Sequence, residues 1–279
     1  MQDRRITELE EVASRAVSAI AGEEAVDAAV GTFLLRYYLR VDAAELRDPL
    51  GVALAQALTL AGDDPTIVGR AAWLSLLVDA IAVAADDRLR PAVQELVAAL
   101  RETWPAHTRI DEVAASVEAC LRAVDIVDAD GLVQDAIDHL ERVIGGSYRP
   151  GDGLVRDRDG ARVRCSLADH VRGASALLTA FELTGRLPYS MLAEELIAIA
   201  GRPPSPDAGL VIHCEAARVL CRLASLHDDP DYRGAAVIAT GADYRAEASR
   251  ILAVQSPRAR ADTPSAAAAY GLALLDLLK

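Results

Sequence analysis

Two histidines in this chain stand where an imidazole could move a proton. His170 follows Asp169 near the start of a helix-patterned stretch at 166–184, and His213 lies with Glu215 in the early turns of another at 207–226. Imidazole titrates near neutral pH, so such a pair could act as base and acid in abstracting a proton beside a carbonyl. The same residues have plainer uses. An acid in a first helical turn complements the helix dipole, and a histidine on an apolar face is commonly a satisfied core residue.

Between these stretches, Arg149, Arg156, Arg158, Arg162 and Arg164 face only Asp152, Asp157 and Asp159. That mildly basic run suits an anionic substrate, or is a solvated hairpin. Glycoside hydrolysis needs two carboxyl groups at about 5 or 6.5–9.5 Å. Asp152, Asp157, Asp159 and Asp169 are candidates whose separation depends on the fold.

Other chemistries fail on spacing. Asp128-Ala129-Asp130-Gly131 and Asp157-Arg158-Asp159-Gly160 contain Asp-x-Asp-Gly, but the first ligand of a calcium loop would be Ile126 or Val155. Asp130 reads better as the cap of a helix at 131–145. Cys165, His170, His213, Cys214 and Cys221 lack zinc-ligand spacing, so no metal is expected. Neither a glycine-rich phosphate loop nor a Gly-x-Ser-x-Gly elbow occurs, and no cofactor is expected.

These residues must be positioned by helices. The chain has 279 residues, 52% hydrophobic but only 4% aromatic, with alanine, leucine and valine supplying the interior. That is an all-α composition. One turn recurs: Gly62-Asp63-Asp64-Pro65, Asp86-Asp87-Arg88, Gly185-Arg186-Leu187-Pro188 and Asp228-Asp229-Pro230 each stop one helix and start the next. Turns this short make consecutive helices antiparallel. Apolar spacing places twelve helices near 5–21, 23–40, 48–61, 65–84, 88–103, 109–123, 131–145, 166–184, 188–200, 207–226, 241–254 and 263–278. Alternating residues around Asp159-Gly160 predict a small β-hairpin near 153–164. Arg202-Pro203-Pro204-Ser205-Pro206 is a stiff connector, and no flexible linker divides the chain, so a single domain over 1–279 is expected.

Twelve helices make six hairpins. Uneven intervals between turns argue against an open solenoid, and the last helix is apolar nearly all round and must be buried. Both point to a closed (α/α)6 toroid. The net charge of −13 disfavours nucleic acid. The longest apolar stretch, 71–85, is interrupted by Asp79 and too short for a bilayer. With no signal peptide pattern and cysteines set in apolar helical patterns, a cytoplasmic location is expected.

From about Ile144 onward the sequence resembles the helical part of the spermatogenesis-associated thioredoxin-like proteins. Three stretches carry the likeness: Gly146-Ser147-Tyr148-Arg149 with Ser166-Leu167-Ala168-Asp169-His170, then Ala176–Gly185 with Leu192–Leu196, then Val219–Ala224 with Asp229–Arg233 and Gly271–Asp276. More distantly it is similar to N-acylglucosamine 2-epimerases and six-hairpin glycosidases. The thioredoxin domain and its Cys-x-x-Cys are missing, and His170 stands where the family has tyrosine. The resemblance implies a toroid whose inner helices open on one mouth. Asp169, His170 and His213 would do chemistry there, and Tyr148, Arg149, Arg164 and Glu215 would bind ligand. The expected function is binding, or isomerising, a small carbohydrate-like molecule. The alternative is a non-catalytic helical module that binds a protein partner or a second copy of itself.

Overall fold

Helices begin where the sequence supplies an acceptor for free first-turn N–H groups. Asp27 accepts from Ala29 and Val30, Ser166 from Asp169, Asp243 from Ala246, and Thr263 from Ala266. The recurrent Asp turns work the same way: Asp64 accepts from Thr66, Asp86 from Arg88 and Asp229 from Asp231. The computed structural model describes residues 2–22, 27–84, 86–158, 161–201, 209–235 and 242–279. Its helices are α1 Gln2–Ala21, α2 Ala28–Val41, α3 Arg47–Leu60, α4 Ile67–Ala84, α5 Arg90–Thr103, α6 Ile110–Arg122 and α7 Leu132–Ser147. After them come α8 Leu167–Thr184, α9 Leu187–Ala200, α10 Leu210–Asp228, α11 Pro230–Ala235, α12 Tyr244–Ala261 and α13 Pro264–Leu277.

The helices form a closed toroid. An inner ring runs α2, α4, α6, α8, α10, α13 and back to α2, each packed on the next. Outside it, α1, α3, α5, α7, α9 and α12 back the inner helices. One continuous apolar core lies between the layers, built on Phe33, Leu74, Leu77, Leu100, Leu121, Leu178 and Leu196. α4 is long and apolar enough to cross a membrane by length and composition, yet it packs between α2 and α6 as an inner helix.

Four details differ from the sequence reading. α7 begins at Leu132 behind a left-handed Gly131, and Asp130 makes no cap bond. α12 continues past 254 to Ala261 with Pro257 inside it, because its flanks Gln255, Ser256 and Ala259 are buried. The extra helix α11 brings Tyr232 over α9, where its hydroxyl donates to the buried Glu194 at 3.1 Å. The hairpin gains a third strand: β1 Tyr148–Arg149 pairs antiparallel with β2 Gly153–Arg158, which pairs with β3 Ala161–Arg164. The Asp159-Gly160 turn and the Arg202–Pro206 connector lie outside the described residues.

The ring closes where α13 meets α2. A methyl group on Gly271 of α13 would sit 2.5 Å from Cε2 of Phe33 and 3.0 Å from Cγ1 of Val12, so only glycine lets the helices approach this closely. Gly271→Ala should therefore overpack the seam and cost about 1–3 kcal/mol. Gly51→Ala, in α3 with nothing within 4 Å of the added methyl, should be neutral or stabilising by up to about 1 kcal/mol. Urea unfolding of both variants checks the pair, and equal stability would remove the seam argument.

Candidate ligand site on the toroid axis

The inner helices carry charged rows on otherwise apolar surfaces. On α10, Glu215, Arg218 and Arg222 follow at spacings of three and four, which stacks them on one face. On α8, Arg172, Ser175, Thr179 and Glu182 do the same. α6 adds Asp111, Glu118 and Arg122, α2 adds Arg36, α4 adds Asp79 and α13 adds Asp276. Closing the ring turns these rows inward against one another.

Near the start of the inner helices, Arg172 grips Glu215 with two bonds, Nε to Oε2 at 2.9 Å and Nη2 to Oε1 at 3.1 Å, and lies 3.7 Å from Asp111. Deeper, Arg218 and Arg36 reach Asp276 from two sides. Beyond them, Arg222 donates to Glu118, Thr179 and Glu182 at 3.1, 2.9 and 3.0 Å. Arg122 closes the series on Asp79. Burial alone would push the Asp276 carboxyl up, but Arg218, Arg36 and Lys279 hold it well below the usual carboxylate range. Each of these carboxylates has a cationic partner. The axis is thus a stack of fixed ionic hydrogen-bonding groups, suited to holding a polar ligand; a glycosidase acid would need a carboxyl that keeps its proton.

Of the residues singled out from sequence, Glu215 lies on this axis. Asp169 joins helices: Oδ2 accepts from Ser166 N–H at 2.8 Å in a capping box, and Oδ1 accepts from the Asp111 N–H at 3.2 Å. His170 is 1% exposed. Its Nε2 accepts from the Leu154 N–H at 3.0 Å, which fixes the tautomer with Nδ1–H donating to the Ser166 carbonyl at 2.9 Å. Gly153 makes that contact possible, since it has φ +77° and a methyl there would lie 2.7 Å from His170 Nε2. His213 is half-buried, with Nδ1 3.1 Å from the Gly209 carbonyl. No hydrogen bond joins the two imidazoles among the described residues.

The sheet forms a separate cluster against α9. The Tyr148 hydroxyl donates to Glu195 Oε2 at 2.6 Å, and the Gly151 N–H donates to Oε1 at 3.1 Å. Arg149 donates to the neighbouring Tyr148 carbonyl and to the Gly146 carbonyl at the end of α7, and Arg164 to the Ile199 carbonyl. Burial, then Glu195, pushes the Tyr148 phenol up to about 12. The axial residues Arg36, Arg172, Arg218, Arg222, Glu118 and Asp276 were not singled out from sequence. Their signal was a charge every third or fourth residue within apolar helices.

The fold is an (α/α)6 toroid, and solved structures share it. The chain is similar to an unsaturated glucuronyl hydrolase variant with the oligosaccharide dGlcA-Glc-Rha-Glc, with a TM-score of 0.74 at 12% identity over 99% of this chain and 96% of that one. It is also similar to the α-1,6-mannanase GH76A from Salegentibacter sp. HEL1_6, with a TM-score of 0.67 at 11% identity over 96% and 98% of the two chains. An inactive variant of that mannanase in complex with α-1,6-mannotetrose gives 0.65 at 12% over 90% and 87%. At such identities the likeness is one of fold. No protein-family model matches the sequence, and no curated protein matches it significantly. The narrower likeness to the spermatogenesis-associated proteins rests on the short sequence stretches alone.

Burial holds the His170 imidazole below its ordinary value of 6.5. His139, stacked on Trp104 at 5.6 Å, is lowered by burial and by Arg142 and His107. Each binds fewer protons folded than unfolded, so its contribution to stability is full above pH 6.5 and is lost as pH falls from there through the folded value. Thermal melts should show the protein weakening from pH 7.5 to 5.5. His170→Ala should cost about 2–4 kcal/mol at pH 7.5, by emptying the ring's volume and orphaning the Leu154 N–H. It should also flatten part of the pH dependence; an unchanged slope would show that His170 is not the titrating group.

Proposed function

We propose that the protein binds a small carbohydrate-like ligand along the axis of its toroid. The observation that carries this reading is the lining of the axis. Arg218, Arg222 and Glu215 keep 37%, 26% and 28% of their side-chain surface open although they lie inside the ring. Fixed carboxylates and guanidiniums hydrogen-bond the hydroxyls of a sugar in both senses, accepting and donating. The oligosaccharides held by structural neighbours agree with that ligand class.

Binding without turnover is the reading we adopt, because the axial carboxylates are paired and both nitrogens of His170 are engaged with backbone. Exposed Val52, Leu58 and Leu60 on α3 favour a second reading, a surface for a protein partner. Ligand-observed NMR with neutral and acidic monosaccharides tests the first. Binding should weaken by about tenfold or more in Arg222→Gln, which removes a charged donor, and persist in Tyr148→Phe. Loss in Tyr148→Phe with Arg222→Gln unaffected would move the site to the sheet and overturn the axial placement.

A further inference from the structure

The outer layer closes less tightly than the inner ring. α1 and α12 both pack on α13, but they do not pack closely on each other. Between them lies a cleft of about 410 Å³, and none of the axial charges lines it. Val12 and Ala259 give it apolar walls, and the buried Glu8 lies at its floor.

Glu8 is held as an anion. The Tyr270 hydroxyl donates to Oε2 at 2.8 Å, the Ser256 hydroxyl to Oε1 at 3.0 Å, and Arg4 Nε to Oε1 at 3.2 Å. Burial alone would push this carboxyl up, but those three hydrogen bonds hold it below its ordinary value. Oε2 takes only the Tyr270 bond among the described residues, and a carboxylate oxygen accepts two.

The mouth of the cleft already holds one cation, and holds it loosely. Arg260 Nη2 lies 3.4 Å from Glu8 Oε1, and Arg260 Nε lies 3.4 Å from Glu11 Oε2. Tight charge-assisted bonds close to about 2.7–2.9 Å. The Arg260 side chain is 53% open, so it swings into water at little cost. Arg15, the other cation of the lining, is committed elsewhere: it donates to the Ala259 carbonyl at 2.7 Å and to the Asp262 carbonyl. A monocation in place of Arg260 leaves the charge balance as it was and adds apolar contact with the walls. An anion would face both carboxylates and the negative end of the α12 dipole.

We propose that this cleft is a second binding site, independent of the axis, and that it takes a small primary amine with an apolar body. The ammonium replaces Arg260 between Glu8 and Glu11 and donates to Glu8 Oε2, while the body fills the space against Val12 and Ala259. The volume suits a single ring or a short chain.

Calorimetric titration of the full chain with phenethylamine, phenethyl alcohol and phenylacetate at neutral pH and low ionic strength tests this. The amine should bind at least about tenfold more tightly than the alcohol or the acid. Arg260→Gln, which removes the resident cation, should strengthen amine binding by about threefold or more, and Glu11→Gln should weaken it by a similar factor. Both side chains are about half open, so neither change threatens folding. Arg258→Gln removes the same charge from the same helix outside the cleft and should change nothing. Equal gains in Arg258→Gln and Arg260→Gln would mark general attraction to an acidic surface and overturn the site. An amine affinity indifferent to both Arg260→Gln and Glu11→Gln would do the same. Alcohol or acid binding as tightly as the amine, or no amine binding at all, would overturn the ligand class.

Discussion

Asp276 sits where α13 meets both α10 and α2, and its carboxylate takes a guanidinium from each side. Arg218 comes from α10 and Arg36 from α2, a residue 240 positions away in the chain. Moving these charges out of water is costly, and their mutual attraction offsets that cost only in a tight geometry. The geometry exists only when the ring is closed. An open arrangement of the same hairpins would leave Arg36 and the carboxylate apart, and would strip the outer face of α13, apolar nearly all round, of its partners. Gly271 acts in the same place by steric means, admitting Phe33 where any side chain would hold the helices apart. Apolar burial supplies the drive to associate, and this seam selects which association is reached.

Much of the helical layout was legible because its causes are local. The helix starts at Ser166 and Thr263, and the period of the apolar residues, depend on neighbours a few positions away. Where a distant contact decided the outcome, the sequence misled. Apolar spacing ends a helix near 254, yet α12 runs on through Pro257 because Ser256 reaches Glu8 on α1 at 3.0 Å and the flanking turns are buried. The strand β1 exists only through its pairing with β2, and two residues carry no periodicity of their own.

The candidate site was harder to read for a different reason. Histidines draw attention because of their chemistry, but the role of an imidazole is set by what its two nitrogens touch. His170 turned out to be an anchor, joining the first turn of α8 to β2 through the space that Gly153 leaves open. The arginines were easy to pass over because a charge every third or fourth residue also describes a solvated helix face. Whether such a row meets water or five other helices is decided by ring closure, which no local pattern records. Glu215 was found through its place near a helix start, and its partner Arg172 was missed although it sits two residues after His170.

The seam also orders events in time. Five neighbouring contacts of the inner ring join helices close in sequence, but the sixth joins α2 to α13. At a synthesis rate of about 5–20 residues per second, the 240 residues between Arg36 and Asp276 take roughly 12–50 s to appear. Throughout that interval α2 has no partner on its open flank, and Phe33 faces whatever is nearby. The nascent chain is therefore most exposed to aggregation before α13 emerges to cover that flank.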